Sequence, residues 1–527
     1  MDFNPGVLMT NLDKDIDLAR GALKQYKLNV LSRTLLKKYV YPNSAIMLDK
    51  AARNEFNRRS SEVANFIVPE STLVDELTSQ LFNDLSSDWD GSVCTEYLSM
   101  AKIVEYGGVG PGASVLAPEN DFVTKLFSPT ISSTSVELYD YYRSTLPSHW
   151  NHALRHVNQR VVVVPGAKLS TVPKDSSKNR TICIEPTLNM YFQQGIRAQL
   201  EKCLIKRYRI DISNQQDFNK ALARKGSISG LLATIDLSNA SDTISYSLCR
   251  RILPQQTFAV LERCRSHSYT DNGKVERMGM MSTMGNAFTF PLMTLILSAL
   301  STVVARRRGI RLFRGNFGVF GDDIVIPTEL YSDMLSALVH VGLSPNFDKS
   351  FGSGFFRESC GGDFLHGCNV RGVYIKRMEN EQDVYSAFNR LHYWSLDNGI
   401  ALHHCLSYLM GLAAFRPVPR HESFDAGFIV PRSQLTSSKA DRNGAIYYRA
   451  ATSARSSRRV TDLSHNPFGA LIGALGGYVR DNQIAQRPKR RKVIVIKKKS
   501  PCWDYSNDAV LVGQDLGFSW RLLLSAR

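Results

Sequence analysis

Asp236, Asp322 and Asp323, with Asp242 six residues after the first, set the chemistry open to this chain. Asp322 and Asp323 stand in Val319-Phe320-Gly321-Asp322-Asp323-Ile324-Val325-Ile326-Pro327, where apolar runs lead into and out of Gly-Asp-Asp. Gly-Asp chemistry between such runs predicts strand, tight turn, strand, with two adjacent carboxylates at the tip. Carboxylates on a rigid tip suit magnesium, a hard ion that takes one or two of them together with substrate phosphates. Taken alone, such a tripeptide is more often a solvated acidic turn. The residues upstream change that balance.

Asp236 closes the apolar run Leu231-Leu232-Ala233-Thr234-Ile235. This predicts a strand that delivers the carboxylate at its C-terminal end, where open sheets place ligand groups; a bare carboxylate there needs a partner. Asp242 follows Ser238-Asn239-Ala240-Ser241, a helix start at which an acid is also an ordinary dipole partner. Met281-Ser282-Thr283-Met284-Gly285-Asn286 offers hydroxyls, a carboxamide and a glycine that permits close approach to a sugar or template backbone. By itself it reads as a helix cap. Lys168, Lys174, Lys178 and Arg180 lie in a stretch, 165–180, whose one acid is Asp175. Four cations would neutralise a triphosphate or pyrophosphate, or form a solvated basic loop. Lys349 is a candidate proton donor to the leaving pyrophosphate, or a surface lysine.

Nucleotidyl transfer accounts for these groups together. It needs two magnesium ions about 3.5–4 Å apart, clamping the attacking 3′-oxygen and the leaving oxygen. Asp236 and Asp322, from different strands, would bridge both ions, with Asp323 beside them. The cationic segment would cover the triphosphate, and Asp242 and Asn286 would test the ribose 2′-hydroxyl.

The elements that must position these groups follow from hydrophobic patterning. Residues 1–150 read as mostly helical, and Val161 to Val164 as a buried strand. From about 223 to 355 the pattern alternates: the strand Leu231 to Asp236, a helix from about 239, an apolar helix from 286, the hairpin, a helix near Tyr331 to Val341, and a segment ending at Phe347-Asp348-Lys349. That order resembles a split βαβ sheet within an α+β fold. Residues 416–465 are rich in Arg, Ser and Pro, and a basic block, Arg487-Pro488-Lys489-Arg490-Arg491-Lys492, precedes Val493 to Ile496 and Lys497-Lys498-Lys499.

Bulk properties narrow the partners. Lys and Arg number 65 against 48 Asp and Glu, a net charge of +17, which favours polyanions: nucleic acid first, acidic membrane second. Nine cysteines, an odd number without a Cys-x-x-Cys pair, indicate neither a zinc knuckle nor a disulfide framework, and point to a reducing compartment. Cys360, His366 and Cys368 fit no zinc spacing and read as structural. The N-terminus carries Asp2, Asp13, Asp15 and Asp17 and shows no signal-peptide pattern. Asn286 to Ala305 is uncharged and precedes three arginines, as a membrane span would. Its Asn, Thr, Ser and Pro residues dilute the run, so a buried helix is expected instead.

The order of basic segment, Asp-x5-Asp, Ser-Thr-Met-Gly-Asn, Gly-Asp-Asp and Lys resembles the palm of viral RNA-dependent RNA polymerases. The closer resemblance is to the replicase catalytic (beta) subunit of small positive-strand RNA bacteriophages, the levivirus group typified by Q-beta. Thr171-Val172-Pro173-Lys174, Ile184-Glu185-Pro186, Asp236-Leu237-Ser238, Ala240-Ser241-Asp242, Met284-Gly285-Asn286, Gly321-Asp322-Asp323-Ile324 and Phe356-Arg357-Glu358-Ser359-Cys360-Gly361 carry it. It covers about residues 160–375. Phe320 stands where the family often has Tyr, and Thr283 where a second Ser is common; both keep the packing or the hydroxyl.

The resemblance implies a right hand, with an N-terminal region and fingers at 1–222, a palm at 223–355, and a thumb and basic C-terminal region at 356–527. It implies an RNA-templated, primer-independent RNA polymerase with Asp236, Asp322, Asp323 and Lys349 catalytic. The first three would hold two Mg2+ ions, with Mn2+ as a substitute. Lys168, Lys174, Lys178, Arg180, Asp242, Ser282, Gly285 and Asn286 would bind nucleotide. Implied partners are single-stranded RNA template, NTPs, host elongation factors Tu and Ts and a ribosomal protein, with no membrane, in the cytoplasm of an infected bacterium. Two alternatives stay open. A reverse transcriptase shares the palm acids, although Gly-Asp-Asp, the Asp242 and Asn286 pair and the lack of an RNase H segment speak against it. A basic RNA-binding or packaging protein would have structural acids.

Overall fold

The apolar run after Asn286 forms the helix Thr289–Arg307, and most of its residues are buried. Pro291 falls in its first turn, where the missing N–H costs no hydrogen bond. The hydroxyls that dilute the run are satisfied within the helix: Thr294 donates to the Phe290 carbonyl at 2.8 Å, Ser298 to Thr294 and Ser301 to Leu297, both at 2.7 Å. By length and composition this helix could cross a membrane; 83% of its apolar window is buried inside the molecule. The structure, a computed structural model, describes residues 2–39, 45–86, 98–435, 440–453, 457–459, 471–472, 474–475, 483–485, 493–500 and 503. The basic block 487–492, Cys94 and Cys502 lie outside the described residues.

Against this helix lies a three-stranded antiparallel sheet. Asp323–Pro327 is central, flanked by Leu232–Ile235 and Gly318–Phe320, with Ile324 opposite both Ile235 and Val319. Alternate residues take opposite faces. Ile324 and Ile326 join the cluster of Leu292, Leu295 and Ile296, whereas Val325 packs with Leu222 and Leu232, Leu222 coming from the helix Ile212–Ser229. The sheet is therefore covered on both faces, and its polar groups gather at one end.

Several expectations need correction. The fourth strand of the split βαβ unit is interrupted: Pro345 and Phe351 make isolated bridges to Leu237 and Thr234, and a short helical turn, Phe347–Lys349, separates them. No helix begins at 239, because Asn239 takes a left-handed conformation (φ 51°) and only one tight turn, Ala240–Asp242, follows. The α-helix starts at Tyr246, where the Ser245 hydroxyl accepts the Leu248 N–H at 2.9 Å. The valine run 161–164 is not a buried strand. Arg160–Val163 pairs with Thr130–Ser133 in a two-stranded sheet, and Val163 is 53% exposed. The basic stretch is a hairpin, Ala167–Pro173 with Asn179–Ile184, not a loop.

Residues before 150 are mainly helical, but two of their helices pack far along the chain. Pro5–Leu18 and Ala22–Thr34 share a hydrophobic cluster with Glu381–Asn398 and His403–Gly411. Buried Asp15 accepts the N–H groups of His404 and Cys405, each at 3.0 Å, and so caps that last helix across the chain.

His392, on Glu381–Asn398, is pushed down to about 4 by burial and then by the Arg420 charge. The unfolded chain takes up this proton near pH 6.5 and the folded chain only near 4, so the unfolded state binds more protons between the two. Stability is complete above about pH 6.5 and falls as the pH drops towards 4. Urea unfolding at pH 7 and 5 is expected to show a loss that His392→Gln reduces by about 1–2 kcal/mol; an equal loss in both proteins would remove His392 as its source.

Candidate active site

Asp236 is the first residue beyond the strand Leu232–Ile235, and the interrupted strand holds it. The Asn346 N–H donates to its carbonyl at 2.8 Å, and its own N–H donates to the Ser350 hydroxyl at 3.2 Å. On the side chain, Oδ2 accepts from Asn346 Nδ2 at 2.9 Å and lies 3.7 Å from Lys349 Nζ. The turn Phe347–Lys349 that breaks the strand thus swings Lys349 over the acid.

The Gly321-Asp322 bend is clamped to the long helix. The Gly321 N–H donates to Thr294 Oγ1 at 3.0 Å, and the Phe290 and Phe320 rings meet edge to face at 4.7 Å. Gly321 has φ 63°, and a Cβ there would stand 2.3 Å from the Phe290 ring. Phe320 therefore does the packing expected of an aromatic at that position. Asp323 already belongs to the central strand, opposite Phe320, and its carboxylate receives the Cys360 backbone N–H. That N–H is presented by a two-residue turn, Cys360-Gly361 (φ 51° and 78°), joining Phe356–Ser359 to Gly362–Leu365.

The charge of Asp236 bears on both of its acidic neighbours. Burial and then the Asp236 charge hold Asp322 above the usual carboxylate range, with Lys349 and Arg180 opposing. Burial pushes Asp323 up to about 7; the Cys360 N–H opposes, and Asp322 and Asp236 add to the rise. Burial works against the charge on Lys349, but Asp236, Glu358, Asp323 and Asp322 outweigh it and hold the lysine above its ordinary range.

The basic hairpin brings Lys174, Lys178 and Arg180 to its tip and leaves Lys168 at its other end, opposite Ile184. Burial, then the charges of Arg180 and Lys349, lowers Lys174, which places the tip and Lys349 around one space. The tip is fixed from outside, as the Ser176 N–H donates to the Lys37 carbonyl at 2.9 Å. The Gly285 loop abuts the same hairpin. The Cys183 N–H donates to the Met284 carbonyl at 2.8 Å, and Gly285 has φ 114° with room for no Cβ, which would lie 2.0 Å from the Cys183 carbonyl oxygen. The Ser282 hydroxyl is buried without a hydrogen-bond partner among the described residues. Asn286 Oδ1 accepts the Phe288 N–H at 3.0 Å, while its buried Nδ2 has no hydrogen-bond partner among the described residues. Asp242 is pushed up to about 6 by burial, with the Ser241 hydroxyl (3.1 Å) and Arg59 opposing. Its charge and that of Glu185 both act on Cys183, so Asp242, Asn286 and Gly285 gather behind the hairpin.

Sequence reasoning passed over Glu358, Asp363, Lys38 and Arg371. Burial, then Asp363, raises Glu358, and Asp363 pairs with Arg371 at 3.0 Å. Lys38 is lowered by burial, then by Arg371, Lys376, Arg180 and Lys37, so the cationic rim draws on segments far apart in the sequence. The phrase Phe356 to Gly361 was the one signal in the sequence for Glu358.

Among the described residues, no three His, Cys, Asp or Glu side chains already converge closely enough to hold a metal ion. Two hard carboxylates that repel one another, Asp236 and Asp322, nevertheless fit a magnesium ion that completes its shell with water and phosphate. Acids at the end of a sheet, facing a cationic hairpin, make a site suited to a polyphosphate and hard cations.

A model of the RNA replicase beta-chain family matches residues 125–446, more than half of the chain. The RNA-directed RNA polymerase beta chain of Escherichia phage MS2 is 40% identical over 252 residues, 47% of this chain and 45% of that protein. That of Enterobacteria phage GA is 41% identical over 239 residues, 45% and 44% of the two chains. The RNA-directed RNA polymerase subunit beta of Escherichia virus Qbeta is 38% identical over 240 residues, 45% and 40%. The chain thus spans less than half the length of these curated relatives. Among solved structures, the RNA-dependent RNA polymerase of a human picorbirnavirus has a TM-score of 0.35 at 14% identity, covering 78% of this chain and 90% of that one. The chain belongs to the RNA replicase beta-chain family.

Proposed function

We propose that this chain is the catalytic subunit of an RNA-templated RNA polymerase that replicates a single-stranded RNA phage genome, without a primer, by two-metal nucleotidyl transfer. The observation that carries the reading is the placement of Asp236, just beyond one strand, near Asp322, in the bend before the neighbouring strand, with Lys349 at 3.7 Å from the first and the charges of Lys349 and Arg180 both acting on the second. Family membership and the names of the relatives support it.

In this reading Asp236 and Asp322 would hold two magnesium ions, with Asp323 beside them and Mn2+ as a substitute. Bound there, the ions supply charge stabilisation at the attacking and leaving oxygens. Lys174, Lys178 and Arg180 bind and orient the triphosphate. Lys349, kept protonated by its acidic neighbours, stands where it can pass its Nζ proton to the leaving pyrophosphate. Lys168, at the far end of the hairpin, acts on template or solvent and not on that phosphate.

The three-stranded sheet belongs to a palm at 223–355, between fingers within 1–222 and a thumb from 356; the helices Pro5–Leu18 and Ala22–Thr34 join the fingers side of the sequence to the thumb. The relatives' designation as beta chains supports a complex. Elongation factors Tu and Ts and a ribosomal protein are the proposed partners, in the cytoplasm of the infected cell.

Asp242 and Asn286 are proposed to read the ribose 2′-hydroxyl, Asp242 being ionised at neutral pH. Loss of a hydrogen bond to a charged group costs about 1.5–3 kcal/mol. Asp242→Ala is therefore expected to narrow the ratio of kcat/KM for ribonucleotide over deoxyribonucleotide by about 10- to 100-fold, and Asn286→Ala to narrow it in the same direction. Single-nucleotide incorporation on an RNA template measures it. Undiminished discrimination in both would leave these residues with a structural role behind the hairpin.

A further inference from the structure

The C-terminal third carries an antiparallel ribbon, Ile446–Ser453 paired with Val493–Ser500. Its register sets Tyr447 opposite Lys499 and Arg449 opposite Lys497, and residues two apart share a face. On the inner face, Tyr448 and Ala450 pack with Val418, Ile429 and Trp503, in a cluster separate from the one beneath the acid-bearing sheet. Lys498, on that side, is neutralised by Glu422 at 2.7 Å.

The outer face has a different character. Tyr447 is 47% exposed, Arg449, Lys497 and Lys499 are open to solvent, and Lys497 Nζ stands 4.8 Å from the Tyr447 ring centroid. Lys499 has a distant acid, Asp441 at 4.0 Å; Arg449 and Lys497 make no ion pair among the described residues. From 485 to 500 the sequence holds eight Lys and Arg and no Asp or Glu. Arg449, Lys497 and Lys499 on one face of the ribbon repel one another, and a polyanion relieves that repulsion. The exposed ring adds what a phosphate site does not need: an aromatic surface on which an unpaired base can stack, as single-strand-binding proteins use. Paired bases have no free face to offer it.

We propose that this face, Tyr447, Arg449, Lys497 and Lys499, is a second binding surface for single-stranded RNA, outside the acid-bearing site. Bases stack on Tyr447 and phosphates lie along the three cations.

The test uses the full chain carrying Asp322→Asn, so that binding is read without synthesis and the outcome does not depend on the polymerase reading. The probe is a fluorescent oligouridylate of about 12 nucleotides. Tyr447→Ala is expected to weaken binding roughly 5- to 100-fold, and Tyr447→Phe to restore it. Arg449→Gln with Lys497→Gln is expected to lower the slope of log affinity against log salt by about 1.4. Unchanged affinity and slope would overturn the proposal. Equal losses for an RNA duplex would overturn the stacking, and variants that lose only binding to vesicles of acidic phospholipid would reassign the face to a membrane surface.

Discussion

Asp322→Asn is expected to reduce ribonucleotide incorporation by at least about a thousand-fold, or roughly 4 kcal/mol of transition-state stabilisation. The substitution keeps shape and removes charge. Its effect on folding should be neutral or favourable, because the native site already holds the Asp322 carboxylate against burial and against the Asp236 charge. Relief of that repulsion stabilises the site, so lost activity with an unchanged or raised Tm would mark the acid as chemical. Binding of RNA should persist, since the basic residues that neutralise phosphates are untouched. Incorporation near the wild-type rate would remove Asp322 from the metal site.

Gly285→Ala is expected to be nearly as damaging by another route. Two costs coincide: a left-handed φ of 114°, which strains an L-residue by about 1–3 kcal/mol, and a Cβ placed 2.0 Å from the Cys183 carbonyl oxygen. Backbone cannot swing aside as a lysine tip can. The loop must lift from the strand Asn179–Ile184, breaking the 2.8 Å bond from the Cys183 N–H to the Met284 carbonyl and displacing the neighbouring Asn286. We expect kcat/KM for nucleotide to fall by about 100-fold or more, as a displacement of about 1 Å at such a site would cause. Gly273→Ala is the control: its φ is 85°, but nothing lies within 4 Å of its Cβ position. That variant should show strain alone, as a lower Tm with activity retained. Matching behaviour of the two variants would mean that the contact with the hairpin is unimportant.

The acids were legible in the sequence because their signals are local. A glycine between two apolar runs specifies the bend at Gly321-Asp322, and an apolar run ending in Asp236 specifies a strand end. The long helix was legible from its composition, and its interior from the polar residues that dilute it. Other features depend on partners distant in sequence. Asp15 of the first helix finds its N–H donors at His404 and Cys405, 389 and 390 residues away. Periodicity shows that Val161 to Val164 is a strand but not that it stands at an edge. A proline- and serine-bearing stretch concealed a hairpin whose pairing separates Lys168 from Lys174. Nor does the sequence show that Asp323 meets the Cys360 N–H, because that depends on two left-handed residues in a turn formed by other strands. The interrupted strand carries the same lesson: the turn that spoils its regularity is what sets Lys349 beside Asp236.

The most direct test of the central claim is incorporation of labelled ribonucleotides by the full chain on single-stranded RNA templates of defined composition, with magnesium, with and without bacterial extract. The account predicts incorporation that follows each template's complement, disappears with a chelator, and is enhanced by extract where host proteins complete the complex. Incorporation indifferent to the template, or none in any condition while RNA binding is intact, would contradict it.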